Sequence, residues 1–272
     1  MDALRLTRHA DVLAILSDTR FDVVVAPAGE TGIGWLRATV ARFSTGTAHA
    51  RRRGYAMAAL RGIEPGRLRS RARHLAASHP SGRGGGWLSA LPVTVLAEEL
   101  GLARAPVEEV AALSGSYFDG RTPEGEDAQP LSRLVELIGG YDEATAARIG
   151  LLMQAHAATG ALIRNSLDAV GSHPVPVEAV VLETLRYAPP VPLMRRQCVV
   201  ATPDWTVDSI VELDLAAANR DPSVFADPDT FRPGRPAAEA QLTFGAGLRP
   251  CPGRDHALAI AAGAIEGVLS HD

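Results

Sequence analysis

The chain contains no lysine, so all 27 of its basic side chains are arginine. They are outnumbered by 31 acidic residues, for a net charge of −4, and no general attraction to nucleic acid follows. The missing lysine reflects coding bias and carries no functional reading. Cysteine is nearly absent too. Cys198 and Cys251 are too few for a disulfide framework. No apolar run reaches the ~18 residues that suggest a membrane span. The opening residues, MDALRLTRHADV, do not form a secretory signal. The expectation is a cytoplasmic protein with no membrane and no nucleic-acid partner. A length of 272 residues supports a sizeable core, and no internal repeat or low-complexity region divides it.

What is present concentrates near the C-terminus. The stretch Leu242 to Ile260, LTFGAGLRPCPGRDHALAI, sets Cys251 on a loop rich in glycine and proline. Gly245, Gly247 and Gly253 let the backbone turn tightly or approach a flat ligand, because glycine has no Cβ. Pro250 and Pro252 stiffen the loop and remove two N–H donors. A helix is expected to open at Gly253, and its N-terminus favours a thiolate over a thiol. The pattern Phe244-Gly245-x-Gly247-x-Arg249-x-Cys251-x-Gly253 resembles the heme-binding signature of cytochromes P450. That resemblance implies heme b, with Cys251 as the proximal ligand to iron. The bland alternative is a buried structural cysteine in a glycine-rich turn.

Other segments resemble the same family. Leu4 to Phe21 reads as a short strand and then an amphipathic helix, like the early strand–helix–DxRF stretch of bacterial members. By that comparison the chain starts late. From Ser44 to Leu75 a helical, strongly basic segment places His49 and Arg53 four apart on one helix face. Alone this is a solvated basic face. The resemblance implies that His49, Arg53, Arg249 and Arg196 hold the heme propionates, since a guanidinium makes charge-assisted hydrogen bonds to a carboxylate. Arg195 is the alternative to Arg196. The remaining arginines of the segment are expected to form a positive surface for an acidic electron donor. Leu88 to Leu102 is expected to be a core helix. Asp119 to Pro130 reads as a polar loop, in a region where the resemblance implies a shortened substrate lid.

Val177 to Tyr187 is expected to be a helix carrying Glu183 and Arg186 three apart. Alone, such a pair is worth ~0.2–0.5 kcal/mol. Further on come Asn219-Arg220-Asp221-Pro222 and Asp227-Pro228-Asp229-Thr230-Phe231-x-Pro233-x-Arg235. The resemblance implies a buried triad of Glu183, Arg186 and Arg235 that fixes the backbone near the cysteine loop. Val199 to Asp214 reads as short β-strands.

Tyr141 to Val170 is expected to be one long helix, resembling the helix that crosses the distal face of the heme. Leu162-Ile163-Arg164-Asn165 fits the later part of the family pattern. Counting back, the usual acid position is Ala157 and the threonine position Ala158. In a register shifted by one they are Ala158 and Thr159. In either register the acid is an alanine. Gln154, Ala157, Ala158, Ala161 and Asn165 share one helical face. His156 lies to one side, as a candidate proton donor or a packed residue.

The sequence thus points to a single domain, 1–272, mainly α with a minor β part and P450-like. It implies an oxidative or peroxide-driven enzyme acting on a small organic, biosynthetic substrate. Its electron source would be a ferredoxin-like protein or hydrogen peroxide. Two alternatives stand beside it. One is a P450-like scaffold for a non-oxidative cyclisation, dehydration or rearrangement, and the other is a non-catalytic partner subunit.

Overall fold

The computed structural model describes residues 4–27, 29–79, 85–119, 128–170 and 175–270. In chain order the elements are β1 (Leu4–Leu6), α1 (His9–Ser17), β2 (Phe21–Asp22), α2 (Gly32–Thr39), α3 (Gly46–Leu60), α4 (Pro65–Ala77), α5 (Trp87–Glu99) and α6 (Val107–Asp119). There follow α7 (Ala128–Ile138), α8 (Glu143–Gln154), a π-helical turn (Ala155–Thr159), α9 (Gly160–Val170), α10 (Val177–Tyr187), β3 (Leu193–Cys198), β4 (Ile210–Asp214), α11 (Leu215–Ala218) and α12 (Arg254–Leu269). The architecture is mainly helical with one small sheet. The polar loop expected at 119–130 falls mostly outside the described residues. Among the described residues no helix is long and apolar enough to cross a membrane.

Two compact units emerge: Met1–Val24 with Arg164–Arg254, and Val25–Ile163 with Asp255–Asp272. The first holds the sheet, in the order β1-β4-β3-β2, with β1 parallel to β4 and the other pairs antiparallel. Side chains on a strand alternate between faces. On β3 that puts Arg196 and Cys198 on the buried face, while Arg195 points to solvent. Arg195 lies opposite Glu212 in the ladder, and Arg5 of β1 lies opposite Glu212 on its other side. Both arginines bond that carboxylate, Arg195 Nη2 at 2.8 Å and Arg5 Nη2 at 3.1 Å. The sheet's inner face joins Val12 and Leu16 of α1, Phe21, Val211, Leu213 and Leu242 in one apolar cluster. Of the strands expected over 199–214, β4 lies at the end of that stretch, whereas β3 precedes it, ending at Cys198, and Val199 and Val200 are exposed.

Helix α1 begins without a side-chain cap from its own N-cap residue, Arg8. Asp221 fills that role across the chain, accepting the His9 N–H at 2.8 Å. That amide and two bonds from Ser223 pull the Asp221 carboxyl down to about 2, with the Ser223 hydroxyl as the largest cause.

In the second unit, the basic stretch splits into α3 and α4. Gly62 takes φ +86°, and Pro65 starts α4 at the position where proline is best tolerated. Arg148 of α8 donates to Leu100 O at 2.6 Å and to Ile138 O at 3.3 Å. It thereby satisfies carbonyls at the C-terminal ends of α5 and α7, where helix dipoles favour a cation. Asp142 caps α8 by accepting the Thr145 N–H at 2.7 Å.

Candidate functional site

The loop around Cys251 is built from the first unit. Gly245 and Gly247 take φ +72° and +60°, in the left-handed region that favours glycine. A Cβ on Gly247 would lie 2.5 Å from Leu16 O, so the loop is pressed against the end of α1. Leu248 N–H donates to the same carbonyl at 3.2 Å, and Cys251 N–H closes the loop on Phe244 O at 2.8 Å. Cys251 lies three residues ahead of the first residue of α12, and Gly253 directly precedes that helix.

The base of the loop is held by a residue to which the sequence assigned no role. Asn219 has no exposure. Its Oδ1 accepts Leu242 N–H at 2.8 Å, and its Nδ2 donates to Thr243 Oγ1 at 2.9 Å. The Thr243 hydroxyl donates in turn to Leu185 O of α10 at 2.7 Å. Next to Leu185 on α10, Arg186 bonds Glu183 through Nε at 3.0 Å and Nη2 at 2.6 Å, and Arg235 Nε reaches Glu183 Oε1 at 3.4 Å. All three side chains are buried. The guanidiniums also bind carbonyls of 219, 226, 227, 228 and 230, so the meander before the loop is fixed to α10.

The two cysteines differ. Cys198 is fully buried, and its thiol donates to Val200 O at 3.2 Å. Cys251 is partly exposed and borders a cavity of about 470 Å³ that it shares with Leu13, Phe244 and Arg254. A reachable sulfur ahead of a helix N-terminus is the kind that serves as a thiolate ligand. On the sheet, Arg196 is buried and donates to Arg195 O at 3.0 Å. Arg195 is engaged with Glu212 on the opposite face. Arg249 meets Asp22 at 2.5 Å. The donor set therefore fits a heme: a soft sulfur on a tight loop, with a buried cation on the neighbouring sheet.

The other candidates lie in the second unit. His49 and Arg53 sit one turn apart on α3, both half-buried. The arginines around them bind carboxylates of the chain itself. Arg51 and Arg52 share Glu143, while Arg67 pairs with Glu99, Arg69 with Glu266 and Arg71 with Glu98. The open positive surface expected of this stretch is thus largely neutralised within the fold. The stretch 155–159 winds as a π turn, with the Gly160 N–H donating to Ala155 O. Such bulges are rare and collect at functional sites. Ala157 and Ala158 are partly exposed and Thr159 is buried. His156 turns toward α6, its Nδ1 3.2 Å from Ser114 Oγ.

The cytochrome P450 family model matches residues 174–269, the segment containing the triad and the Cys251 loop. Erythromycin C-12 hydroxylase of Saccharopolyspora erythraea is 32% identical over 213 residues, 60% of this chain and 54% of that protein. A mutant of P450 EryK in complex with erythromycin B superposes with a TM-score of 0.72 at 27% identity, over 98% of this chain and 82% of that one. P450BioI, solved with an acyl carrier protein ligated to hexadec-9Z-enoic acid, gives a TM-score of 0.80 at 23% identity, over 98% and 84% of the two chains, and shows the fold alone. By these matches the chain is similar to bacterial cytochromes P450. Pulcherriminic acid synthase of Bacillus subtilis is also similar, 39% identical over 90 residues, 28% of this chain and 22% of that protein. The chain spans about half the length of the hydroxylase it matches and less of the synthase. P450 proteins bind heme through a cysteine thiolate, and the segment that the family model matches contains Cys251.

Proposed function

We propose that this chain is a P450-like protein that binds heme b through Cys251 and transforms a small organic, biosynthetic substrate by an oxidative or peroxide-driven reaction. The observation that carries the reading is the anchored loop, which leaves Cys251 reachable while fixing the backbone that leads into it. The relatives named above as a hydroxylase and a synthase agree with it. Thiolate-bound heme supplies the capacity to activate dioxygen or peroxide.

The chain's residues divide the work. Cys251 ligates, Phe244, Gly245 and Gly253 shape the loop, and Arg249, Arg196, His49 and Arg53 bind the propionates. Glu183, Arg186 and Arg235 hold the scaffold. Ala157 and Ala158 leave room for substrate and supply no proton, so protons come from solvent, substrate or peroxide. A ferredoxin-like protein or hydrogen peroxide is the co-reactant.

A second reading is a non-oxidative cyclisation, dehydration or rearrangement on the same scaffold. The alanines at 157 and 158 favour it, because such a step needs no proton relay to oxygen. A non-catalytic subunit ranks below both, because the cysteine loop is complete.

The test is spectral, then catalytic. The reduced, carbon-monoxide-bound protein should show the red-shifted Soret band of thiolate ligation, and Cys251→Ser should lose it. A wild-type protein without that band overturns the assignment. Turnover is then compared with ferredoxin, with peroxide and with no oxidant. Product formed without oxidant decides for the second reading.

A further inference from the structure

Arg249, two residues before Cys251, is held by an acid that the family signature does not contain. Its guanidinium lies 2.5 Å from Asp22 Oδ1, with side chains only 15% and 21% exposed. The carboxylate is itself oriented, since Oδ1 also accepts the Val23 N–H at 2.8 Å. Asp22 lies opposite Gln197 in the β2–β3 ladder, beside Phe21, which is buried against Trp205. The neighbouring loop residues are fastened to the same segment. Gly247 packs on Leu16 O, and Leu248 donates to it. Residues 247–249 are therefore clamped to the α1–β2 segment, and Asp22 is a charged part of that clamp.

We propose that Asp22 is a positioning residue that fixes Arg249 and offsets its charge beside the ligating sulfur, holding the reduction potential of the bound heme low. This rests on the reading of Cys251 as the heme ligand. A partly buried ion pair keeps its field local. An uncompensated guanidinium nearby stabilises the reduced iron, which carries one positive charge fewer. A carboxylate left without its arginine does the reverse. Burial, hydrogen bonding and local charge are the means by which a protein sets the potential of a given heme ligation.

The experiment is a spectroelectrochemical titration of the heme-loaded wild type, D22N, D22E, R249Q and the D22N/R249Q double variant. Each is first checked for the thiolate-type carbon-monoxide spectrum. D22N should shift the potential positive, D22E should stay near wild type, and R249Q should shift it negative. The double variant should lie between the two single variants. A merely structural role for Asp22 would not give shifts of opposite sign. An unmoved potential in D22N, or an equal shift in D22E, overturns the proposal while leaving the Cys251 assignment standing. Where D22N does not retain heme, R249Q decides: a negative shift supports the proposal and no shift overturns it. A wild type without the thiolate spectrum sinks the reading of Cys251 and the proposal with it.

Discussion

Arg186 grips Glu183 side-on, with N–H···O distances of 3.0 and 2.6 Å, where neither side chain has any exposure. The remaining N–H groups of Arg186 go to Asn219 O at 3.1 Å, Pro228 O at 2.7 Å and Thr230 O at 3.2 Å. All five donors of the guanidinium are therefore used, and a lysine has only three. Removing the acid leaves two buried cations, Arg186 and Arg235, facing a neutral amide. Glu183→Gln is expected to cost ~3–5 kcal/mol, the usual penalty for breaking a buried ion pair. Arg186→Lys should fall in the same range despite keeping the charge. Urea unfolding followed by circular dichroism measures both. A cost below ~1 kcal/mol for Glu183→Gln would match an exposed pair and contradict the burial seen here.

Glu143, at the first residue of α8, binds Arg51 at 2.6 Å and Arg52 at 2.9 Å from α3. The hydrogen bond from Arg51 is the largest cause that brings its carboxyl down to about 2. A carboxyl depressed in the folded state stabilises the protein above its unfolded pKa of 4.5, and that contribution is lost as pH falls through about 2. Arg51 is 55% exposed, so solvent screens the pair and its contribution is small. In Glu143→Gln the stability–pH curve should be flatter between about 4.5 and 2 than in wild type. Denaturant midpoints at pH 7, 4.5 and 3 check this. An unchanged slope in the variant would assign the acid sensitivity to other carboxylates.

These two carboxylates differ in how far the sequence exposed their roles. Glu183 and Arg186 repeat at helical spacing and are followed by a string of proline- and aspartate-bearing signals ending at Arg235, so the triad could be named from the chain. The Cys251 loop was legible for the same reason, as its glycines fall where the backbone needs φ of +72° and +60°. Asp22 and Asn219 are single polar residues whose partners on the cysteine loop lie more than 20 positions away, and no periodicity marks such contacts. Strand β3 lay outside the expected stretch because Arg195-Arg196 hides its alternation. One arginine faces Glu212 and the other lies buried, whereas the apolar Val199-Val200 that drew attention is exposed. The basic run of α3 and α4 read as open charge because its acids, Glu98, Glu99, Glu143 and Glu266, sit on other elements.

Gly160 follows the π turn where α5 crosses closely. A Cβ there would meet Ser89 Cα at 2.8 Å and Ser89 Oγ at 2.9 Å. The nearer atom is backbone, so no rotamer change relieves the clash. Gly160→Ala should therefore destabilise by ~1–3 kcal/mol, as overpacking does. Adding Ser89→Gly removes the hydroxyl but leaves the backbone carbon in the way, so the double variant should recover only part of the loss. Thermal unfolding of wild type and the two variants tests this. Full recovery would mean that the side chain alone sets the crossing distance.

The π turn also decides which substitutions can test proton supply. Ala157 and Ala158 are partly exposed, whereas Thr159 is buried. An acid and an alcohol introduced at 157 and 158 are therefore placed where solvent or substrate reaches them, and the register that would use Thr159 is not. A positioned acid contributes ~10²–10⁴-fold to a step that needs its proton. Ala157→Glu with Ala158→Thr should thus raise ferredoxin-driven turnover by ~10-fold or more if oxygen activation lacks only protons. Peroxide-driven turnover should change far less, because peroxide brings its own protons. The double variant should first be shown to carry heme with the thiolate spectrum of wild type. Equal gains with both oxidants would point to altered substrate binding. No gain with ferredoxin in the heme-loaded variant would count against proton supply as the missing part and move the weight to the non-oxidative reading.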